Sequence, residues 1–471
     1  MAVDSACEAY LEEHGARHLE ELKEFLRIPS VSSLPEHRDD VRRAAEWVAD
    51  RLRELGAQGV ELLPTGGNPV VYGEWPAPEG APTALLYGHY DVQPPDPLDL
   101  WESPPFEPTV RDGKLYARGA ADDKGNMFAP LKAIEALVAT QGRVPIGLKC
   151  LFEGEEEVGS PSLPGFVRDN AARLKADFAL SADGGMWGPD TPSLTLGSKG
   201  VAACQLDLRT ANTDLHSGQY GAAVPNAVEA LARLVTTMHD DAGRVTVPGF
   251  YDAVRELSAQ ERAQIAQVPF DEEEYRGRLG LEALWGEPGY TVLERAWARP
   301  TLDLNGIWGG FTGEGLKTVT PCEAHAKITC RLVPDQEPAR IVDLMEAHAR
   351  AHCPPGATVT LRRFPGAARP FAIRPDHPAL QAAGRVLAEL YGKEPLPIRI
   401  GGTLPVAETL QTELGADLVF FSWGMPDSQV HAPNEWYRLA DFTYARRAYY
   451  ALLNELGTGS AERGTSAMGG K

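Results

Sequence analysis

Histidine and carboxylate residues recur just beyond predicted β-strands, and both residue types bind divalent metal ions and carry protons in catalysis. In each case a short run of β-branched and apolar residues ends before the potential ligand. Because the carboxyl ends of strands form the ligand-binding edge of an open α/β sheet, we expect these side chains to meet there. The pattern predicts a metal site built from residues in four loops: His89 and Asp91, Glu155 to Glu157, Asp183, and His431.

Each of these residues also has an ordinary structural explanation when it is considered alone. A His after a strand is usually hydrogen-bonded at the surface, a Glu triplet usually forms a solvated charge run, and an Asp often caps a helix. The repetition of one placement in four loops favours a shared site. A different pair, His348 and His352, lies beside Cys353 on a predicted helix. No further ligand is near them, and His is favoured electrostatically at a helix C-terminus, so we expect no zinc site there.

The elements that would position the four loops alternate between helix and strand. This alternation predicts an α/β fold with a mixed, mostly parallel sheet flanked by helices. The predicted helices cover about 4–26, 37–55, 125–140, 378–390 and 441–456, and the predicted strands cover 69–72, 83–87, 146–152, 177–181 and 418–421.

A second pattern occupies the middle of the chain. Its order is strand, helix, strand, strand, helix, strand, which is typical of a ferredoxin-like α+β domain. The predicted elements are 201–209, 222–239, 304–309, 324–332, 339–351 and 358–363, with an insertion of acidic and aromatic segments between Asp240 and Arg299. We therefore predict one domain formed by 1–199 and 369–456, an inserted domain at 200–368, and a disordered Gly- and Ser-rich tail at 457–471.

Composition excludes several classes of function. The formal net charge of -21 argues against binding to nucleic acid or to an anionic membrane surface. No apolar run approaches the roughly 20 residues of a membrane-spanning helix, and Met1 to Glu13 does not resemble a signal peptide. The six cysteines are scattered without Cys-x-x-Cys spacing, which favours reduced thiols and a cytoplasmic location.

Three segments make the sequence recognisable: Gly88 to Gln93, Tyr116 to Gly125, and Glu153 to Ser160. With them, the chain resembles the co-catalytic di-zinc metallopeptidase family of cytosolic non-specific dipeptidase, carnosinase, aminoacylase and succinyl-diaminopimelate desuccinylase. The similarity extends from the Phe25 to Ser32 segment to the last predicted helix, and the dipeptidase branch is the most similar. The resemblance implies a zinc-peptidase-like α/β domain, an inserted lid and dimerisation domain, and hydrolysis of dipeptides.

The resemblance implies a set of ligands for two divalent ions per chain. His89, Asp122 and Asp183 would bind one ion, Glu157 and His431 would bind the other, and Asp122 would bridge both. Zinc is the expected metal, although manganese and cobalt share these ligands. Two such ions would balance three ligand carboxylates and a bridging hydroxide, so that the site stays neutral away from bulk water.

Two further residues would support the reaction. The resemblance makes Glu156 the general base, which takes a proton from the bridging water and passes it to the leaving nitrogen. It also implies that Asp91 orients the imidazole of His89.

Four segments resemble substrate-binding parts of the dipeptidase branch, namely 214–218, 317–321, 331–334 and 401–405. These matches imply that substrate contacts His216, Thr318, Arg331 and Thr403, of which the Arg331 guanidinium suits a carboxylate. The resemblance also implies a homodimer through the inserted domain, with His216 reaching a neighbouring subunit. The segment 364–370 lacks the His that animal dipeptidases carry before Gly-Gly-Lys-Pro. We therefore expect a difference near Gly366 in how the C-terminal residue of the substrate is recognised.

Two alternatives to a metallo-dipeptidase remain. An N-acyl-amino-acid deacylase or desuccinylase would use the same metals and the same Glu156, and the need for a free α-amino group in the substrate separates the two activities. An inactive binding protein on this fold is disfavoured, because Glu156 stands beside a complete set of ligands.

Overall fold

The chain forms two compact units, and the second interrupts the first. The computed structural model describes residues 4–466. The first unit comprises Met1–Leu196, Ile373–Ile398 and Thr409–Lys471, and the second comprises Gly197–Ala372 and Arg399–Glu408. Residues 399–408, which the sequence pattern places in the second part of the predicted catalytic domain, thus cluster with the inserted unit.

The helices and strands are numbered here in chain order. The helices are α1 (Ser5–Glu13), α2 (Gly15–Leu26), α3 (Arg38–Glu54), α4 (Lys124–Gln141), α5 (Leu163–Asp169), α6 (Ala171–Leu174), α7 (Ser217–Tyr220), α8 (Ala227–Thr236), α9 (Ala259–Ile265), α10 (Glu272–Arg278), α11 (Val292–Ala298), α12 (Pro338–His352), α13 (Pro378–Tyr391), α14 (Pro405–Leu414) and α15 (Leu439–Ser466). The strands are β1 (Gln58–Leu63), β2 (Val70–Trp75), β3 (Thr83–His89), β4 (Thr109–Arg111), β5 (Lys114–Tyr116), β6 (Gly147–Glu153), β7 (Phe178–Ser181), β8 (Ser193–Ser198), β9 (Gly200–Arg209), β10 (Leu215–His216), β11 (Thr301–Gly309), β12 (Val319–Thr320), β13 (Glu323–Leu332), β14 (Thr358–Arg363), β15 (Phe371–Ala372), β16 (Leu396–Ile400), β17 (Leu418–Phe420) and β18 (Trp436–Arg438).

A six-stranded sheet with the order β1-β2-β6-β3-β7-β17 lies at the centre of the first unit. The pairs β6–β3, β3–β7 and β7–β17 are parallel, whereas β1–β2 and β2–β6 are antiparallel. This topology confirms the mixed, mostly parallel sheet predicted from the alternation of helices and strands. Strand β3 is buried almost throughout its length, as expected of a strand that helices cover on both faces.

The second unit contains a four-stranded antiparallel sheet with the order β11-β13-β9-β14. In the unit's own strand order this is 2-3-1-4, and α8 and α12 follow its first and third strands. This confirms the predicted ferredoxin-like arrangement. Alternate residues of β13 (Ala324, Ala326, Ile328, Cys330 and Leu332) join a buried apolar core with residues of α8 and α12. The other face of the sheet carries polar residues, including Arg331.

The boundaries of some elements differ from the sequence pattern. The single helix predicted from about 4 to 26 was wrong, because the backbone leaves helical geometry at His14 (φ −99°, ψ 4°) and α2 begins at Gly15, a weak helix former. The insertion after Asp240 forms three short helices, α9 to α11. Helix α15 continues to Ser466, into the segment for which a disordered tail is predicted, and residues 467–471 lie outside the described part of the chain.

Among residues 4–466, none of the helices combines the length and the apolar character that crossing a lipid bilayer requires.

Candidate metal centre

The four predicted loops all leave the carboxyl edge of the sheet in the first unit. Strand β3 ends at His89 itself, and β7 ends at Ser181, just before Asp183. A 3-10 helix, Glu156–Val158, follows the end of β6. The loop after β17 carries His431. Parallel pairing of β6, β3, β7 and β17 brings these ends together, although His89 and His431 are 342 positions apart in sequence.

Two groups of three possible ligands share one carboxylate. His89, Asp122 and Asp183 form the first group, and Asp122, Glu157 and His431 form the second. Within each group the ligand atoms lie within 4.8 Å of one another. The Nε2 of His89 is 3.1 Å from Oδ1 of Asp122, and the Nε2 of His431 is 3.0 Å from Oδ2 of the same side chain. Asp122 therefore faces one imidazole with each oxygen.

The orientation of His89 is set from the side away from Asp122. Its Nδ1 lies 3.1 Å from the main-chain oxygen of Asp91 and 3.5 Å from that residue's carboxylate. Because a carbonyl only accepts, Nδ1 donates, and Nε2 is the nitrogen directed at Asp122. The closest contact from Asp91 to the imidazole is thus made by its backbone.

The carboxylate of Asp91 instead holds the turn that carries the glutamates. Its oxygens accept hydrogen bonds from the main-chain N–H groups of Glu156, at 3.3 Å, and Glu157, at 3.1 Å. Gln93 adds a second restraint, since its amide donates to the Glu157 carboxylate at 2.9 Å. The segment 88–93 therefore positions both a histidine and the glutamate turn.

Several carboxylates lie close together at the centre, and their burial and proximity shift the pKa values of the groups there. Burial raises the pKa of Glu156 to about 9, with His89 acting in the opposite direction and Asp183, Asp122 and Glu157 adding to the rise. Burial likewise raises the pKa of Asp183 to about 6. Hydrogen bonds to Asp122 and Glu157 raise the pKa of His431 to about 10. Buried negative charge of this density is costly unless cations compensate for it, and the donor set of imidazoles and carboxylates suits zinc-like divalent ions.

The loop that carries His431 has an unusual backbone. His431 has φ +62°, and Gln429 and Asn434 also adopt positive φ. Left-handed conformations of residues other than Gly cost free energy and concentrate at functional sites. The side chain of Asn434 accepts a hydrogen bond from Glu102 N and donates to Leu100 O, which fixes the loop against a neighbouring segment of the same unit.

The second unit contains the predicted substrate-binding residues in two pairs. His216 ends β10, which pairs with β12, and Ser217 N donates to Thr318 O at 3.2 Å. His216 is exposed, and its Nδ1 accepts a hydrogen bond from Gly218 N. In the other pair, the Nη1 of Arg331 donates to the hydroxyl of Thr403 at 2.8 Å.

Several residues around the centre did not stand out from sequence alone. Asp123 accepts a hydrogen bond from the His89 main chain at 3.1 Å, and Lys124 donates to the carbonyl oxygens of Phe25 and Ile28. Glu435 is fully buried against the Asp122 segment. Asp123 and Lys124 lie inside the motif that contains Asp122, and Glu435 lies shortly after His431. Closeness in sequence to predicted ligands could therefore have pointed to these three residues.

His348 and His352, at which the sequence predicts no zinc site, make contacts of another kind. The Nε2 of His348 lies 2.8 Å from the hydroxyl of Thr237, and the rings of His348 and His352 stack with centroids 4.0 Å apart.

Comparison with known proteins identifies relatives along nearly the whole chain. The model of peptidase family M20/M25/M40 matches residues 85–455. The Cys-Gly metallodipeptidase DUG1 of Candida albicans is 31% identical over 90% of this chain and 91% of its own length. The cysteinylglycine-S-conjugate dipeptidase of Corynebacterium striatum is 32% identical over 89% of this chain and 91% of its own. The crystal structure of the M20 family metallo-carboxypeptidase Sso-CP2 from Sulfolobus solfataricus superimposes with a TM-score of 0.80 at 33% identity, covering 94% of this chain and 99% of that one.

Proposed function

Because the chain belongs to peptidase family M20/M25/M40, we propose that it is a metallo-dipeptidase that hydrolyses the peptide bond of dipeptides with two divalent ions. One observation carries the proposal. Two ligand groups share Asp122, and Glu156, which is not a member of either group, stands beside them. Similarity to two named dipeptidases supports the substrate class.

Five side chains would hold the ions. His89 and Asp183 serve one position, Glu157 and His431 serve the other, and Asp122 serves both. When bound, a pair of divalent ions supplies an activated water and polarises the scissile carbonyl. Zinc is the metal we propose, since imidazole and carboxylate donors suit it. Manganese and cobalt accept the same donors, so the choice depends on geometry and availability.

Glu156 would move the proton. Its burial and the neighbouring carboxylates favour the protonated form in the ion-free protein, with a pKa of about 9. Positive charge at the adjacent positions would lower that pKa, so that the carboxylate can accept a proton from water and return it to the leaving nitrogen. The main-chain bond from Glu156 to Asp91 holds the base in place.

Recognition of the substrate would come from the second unit. We propose that the Arg331 guanidinium binds the C-terminal carboxylate of the dipeptide, with the Thr403 hydroxyl as a second donor. His216 and Thr318 lie together on the β10–β12 ribbon and would make further contacts. An exposed imidazole on a short ribbon has the reach to serve a neighbouring chain, where it would donate to the developing oxyanion.

A homodimer through the second unit would supply that neighbour. Strand β11 is at the edge of its sheet, so within residues 4–466 one side of its backbone pairs with no other strand of that sheet. Leu304, Ile307 and Trp308 on this strand are 43%, 51% and 43% exposed. Exposed apolar side chains on an open edge favour pairing with a second copy across a two-fold axis.

We also propose a cytoplasmic location. Free thiols are in accord with it, and the structure has six of them in the described residues: Cys7, Cys150, Cys204, Cys322, Cys330 and Cys353.

A substrate panel tests the proposal. Zinc-loaded, manganese-loaded and cobalt-loaded protein is assayed with dipeptides, the same dipeptides amidated at the C-terminus, tripeptides, and N-acetyl amino acids. We expect dipeptides to be cleaved with the highest kcat/KM, because a free amino group and a free carboxylate are both recognised. Amidation should reduce kcat/KM strongly.

The panel also separates the competing activities. Faster turnover of N-acetyl amino acids than of every dipeptide would establish the deacylase instead. Equal kcat/KM for dipeptides and tripeptides with the same C-terminal residue would establish a carboxypeptidase, the activity named for the relative from Sulfolobus solfataricus. Activity that survives complete removal of metal by a chelator would contradict all three.

A further inference from the structure

Glu435 accepts four hydrogen bonds from the segment that carries Asp122. One carboxylate oxygen accepts from Ala121 N at 2.8 Å and Asp122 N at 3.1 Å. The other accepts from Gly119 N at 2.9 Å and from the Arg118 guanidinium at 2.7 Å. Glu435 is fully buried, so these donors replace water around its charge, and each bond is stronger for being charge-assisted.

The segment between β5 and α4 has no regular structure to hold it in place. Gly119 adopts φ +84°, and a Cβ there would approach Val92 to 2.6 Å, so a close and unusual path is required. The main chain of Glu435 adds a fifth bond, since its oxygen accepts from Ala117 N at 3.1 Å. The direction of the Asp122 side chain depends on this path, because the bond from Asp122 N fixes the backbone from which the side chain leaves.

Glu435 also joins two of the three segments that supply ligands of the second group, those of Asp122 and His431. It lies four residues after His431 and directly before β18, which pairs with β5. A single carboxylate therefore ties the His431 loop to the Asp122 segment. A shift of either loop would disturb the contact between His431 and Asp122, now 3.0 Å.

We propose that Glu435 is a positioning residue for both metal ions, acting through Asp122 without contacting either ion. This inference rests on the proposed function, because it needs the ions that the ligand groups would hold. Since Asp122 belongs to both groups, loss of Glu435 should weaken the binding of both ions. Loss of a ligand that belongs to one group should weaken chiefly the binding of one ion.

The test is Glu435→Gln. The glutamine keeps the shape, but its NH2 group turns two donors toward N–H groups that need an acceptor. Zinc affinity is measured by competition with a chromophoric chelator, and the cobalt-loaded protein is examined by visible absorption, which reports coordination geometry. We expect both zinc ions to bind about 10- to 100-fold more weakly, the usual effect of losing an outer partner of a metal ligand, and the cobalt spectrum to change. Excess zinc should restore most of the turnover.

Two variants serve as controls. Glu135→Gln removes an equally well-bonded acidic group of α4, which pairs with Arg17 on α2 and with Lys132 on α4, away from the centre. It should lower the thermal stability of the metal-free protein and leave both zinc affinities within about twofold of wild type. Glu157→Gln should weaken one ion far more than the other. If Glu435→Gln does not fold, Glu435→Asp, which keeps the charge but shortens the reach, takes its place in the same measurements.

The outcomes distinguish failure of the proposed function from failure of the positioning role of Glu435. Failure of wild-type protein to bind two ions would overturn the proposed function itself. Wild-type protein that binds two ions, together with a Glu435 variant that binds both with unchanged affinity and an unchanged cobalt spectrum, would overturn the positioning role. A Glu435 variant that loses only stability, as Glu135→Gln should, would leave it a structural residue.

Discussion

The metal centre and the predicted substrate-binding residues differ in burial and in how many hydrogen bonds they make within the chain. At the centre, His89 and Asp91 are fully buried, and hydrogen bonds from the protein fix the turn carrying Glu156 and Glu157. In the second unit, His216 is exposed, and its ring accepts a hydrogen bond from Gly218 N, two residues away. The first arrangement is held by hydrogen bonds within the chain, whereas the second presents an imidazole that is open to solvent.

This difference shows which groups require something from outside the chain. Crowded, buried carboxylates are costly without compensating positive charge, so the chemistry of the centre favours binding of metal ions. An exposed imidazole and an arginine hydrogen-bonded to one hydroxyl can remain as they are in water, so under the proposed function Arg331 would act on substrate and His216 on a second subunit. Variants at the centre should therefore have large effects on metal content, and variants in the second unit should act on substrate binding.

The largest effect is expected from Asp122→Ala. Removing the shared carboxylate takes one ligand from each group and leaves the remaining acidic groups without their common partner. We expect loss of both ions and of all measurable activity, with metal content determined by mass spectrometry of the elements. Asp177→Ala is the matched control, because Asp177 caps Thr83 N at the opposite end of the sheet. Two tightly retained ions in the Asp122 variant would show that the ligand assignment is wrong.

Glu156→Gln should lower turnover and leave metal content unchanged. The amide keeps the shape of the side chain but cannot accept a proton, which should reduce kcat by about 10²- to 10⁴-fold. Glu155→Gln is the natural control, since its carboxylate is engaged by Asn68 N instead, and kcat should stay within a few-fold of wild type. Near wild-type turnover in the Glu156 variant would remove it from the general-base role.

Arg331→Ala should act mainly on KM. The lost charge-assisted contact with the substrate carboxylate is worth about 1.5–3 kcal/mol, which corresponds to a rise in KM of about 10- to 100-fold. The variant should respond little to amidation of the dipeptide, because the group that senses the carboxylate has gone. Arg362→Ala, an exposed arginine on strand β14 of the same sheet, should leave KM unchanged. A KM equal to wild type in the Arg331 variant would place the carboxylate elsewhere.

The smallest effect is expected from a mixing experiment that tests whether two chains share an active site. His216→Ala and Glu156→Gln dimers should each be nearly inactive. Refolding them together in equal amounts gives about half heterodimers, and in each heterodimer one site combines an intact Glu156 with an intact His216 from its neighbour. We expect recovery to about a quarter of wild-type activity if the two sites act independently. No recovery, with heterodimers confirmed by native mass, would mean that His216 serves its own chain.

Much of the molecule follows from local sequence. The run from Thr83 to Tyr87 indicates a strand because it is short, apolar and bounded by Gly and Pro, whereas the uninterrupted stretch from 125 to 140 is long enough to indicate a helix. The alternation of these elements then determines a mostly parallel sheet, and parallel strands determine which edge collects the ligands. The break at His14 escaped prediction because a single weak helix position is a small signal within two long amphipathic stretches.

The amino-acid sequence by itself determined the order of the main elements, the ferredoxin-like insertion and most of the acidic and histidine residues that cluster, and the family resemblance added Asp122. Only the tertiary structure decided that the Asp91 carboxylate holds the glutamate turn while its carbonyl orients His89. Only the tertiary structure brought Glu435 onto the Asp122 segment. The physical reason is that these contacts join main-chain groups to side chains distant in sequence, and neither residue type nor spacing records where a backbone N–H will point.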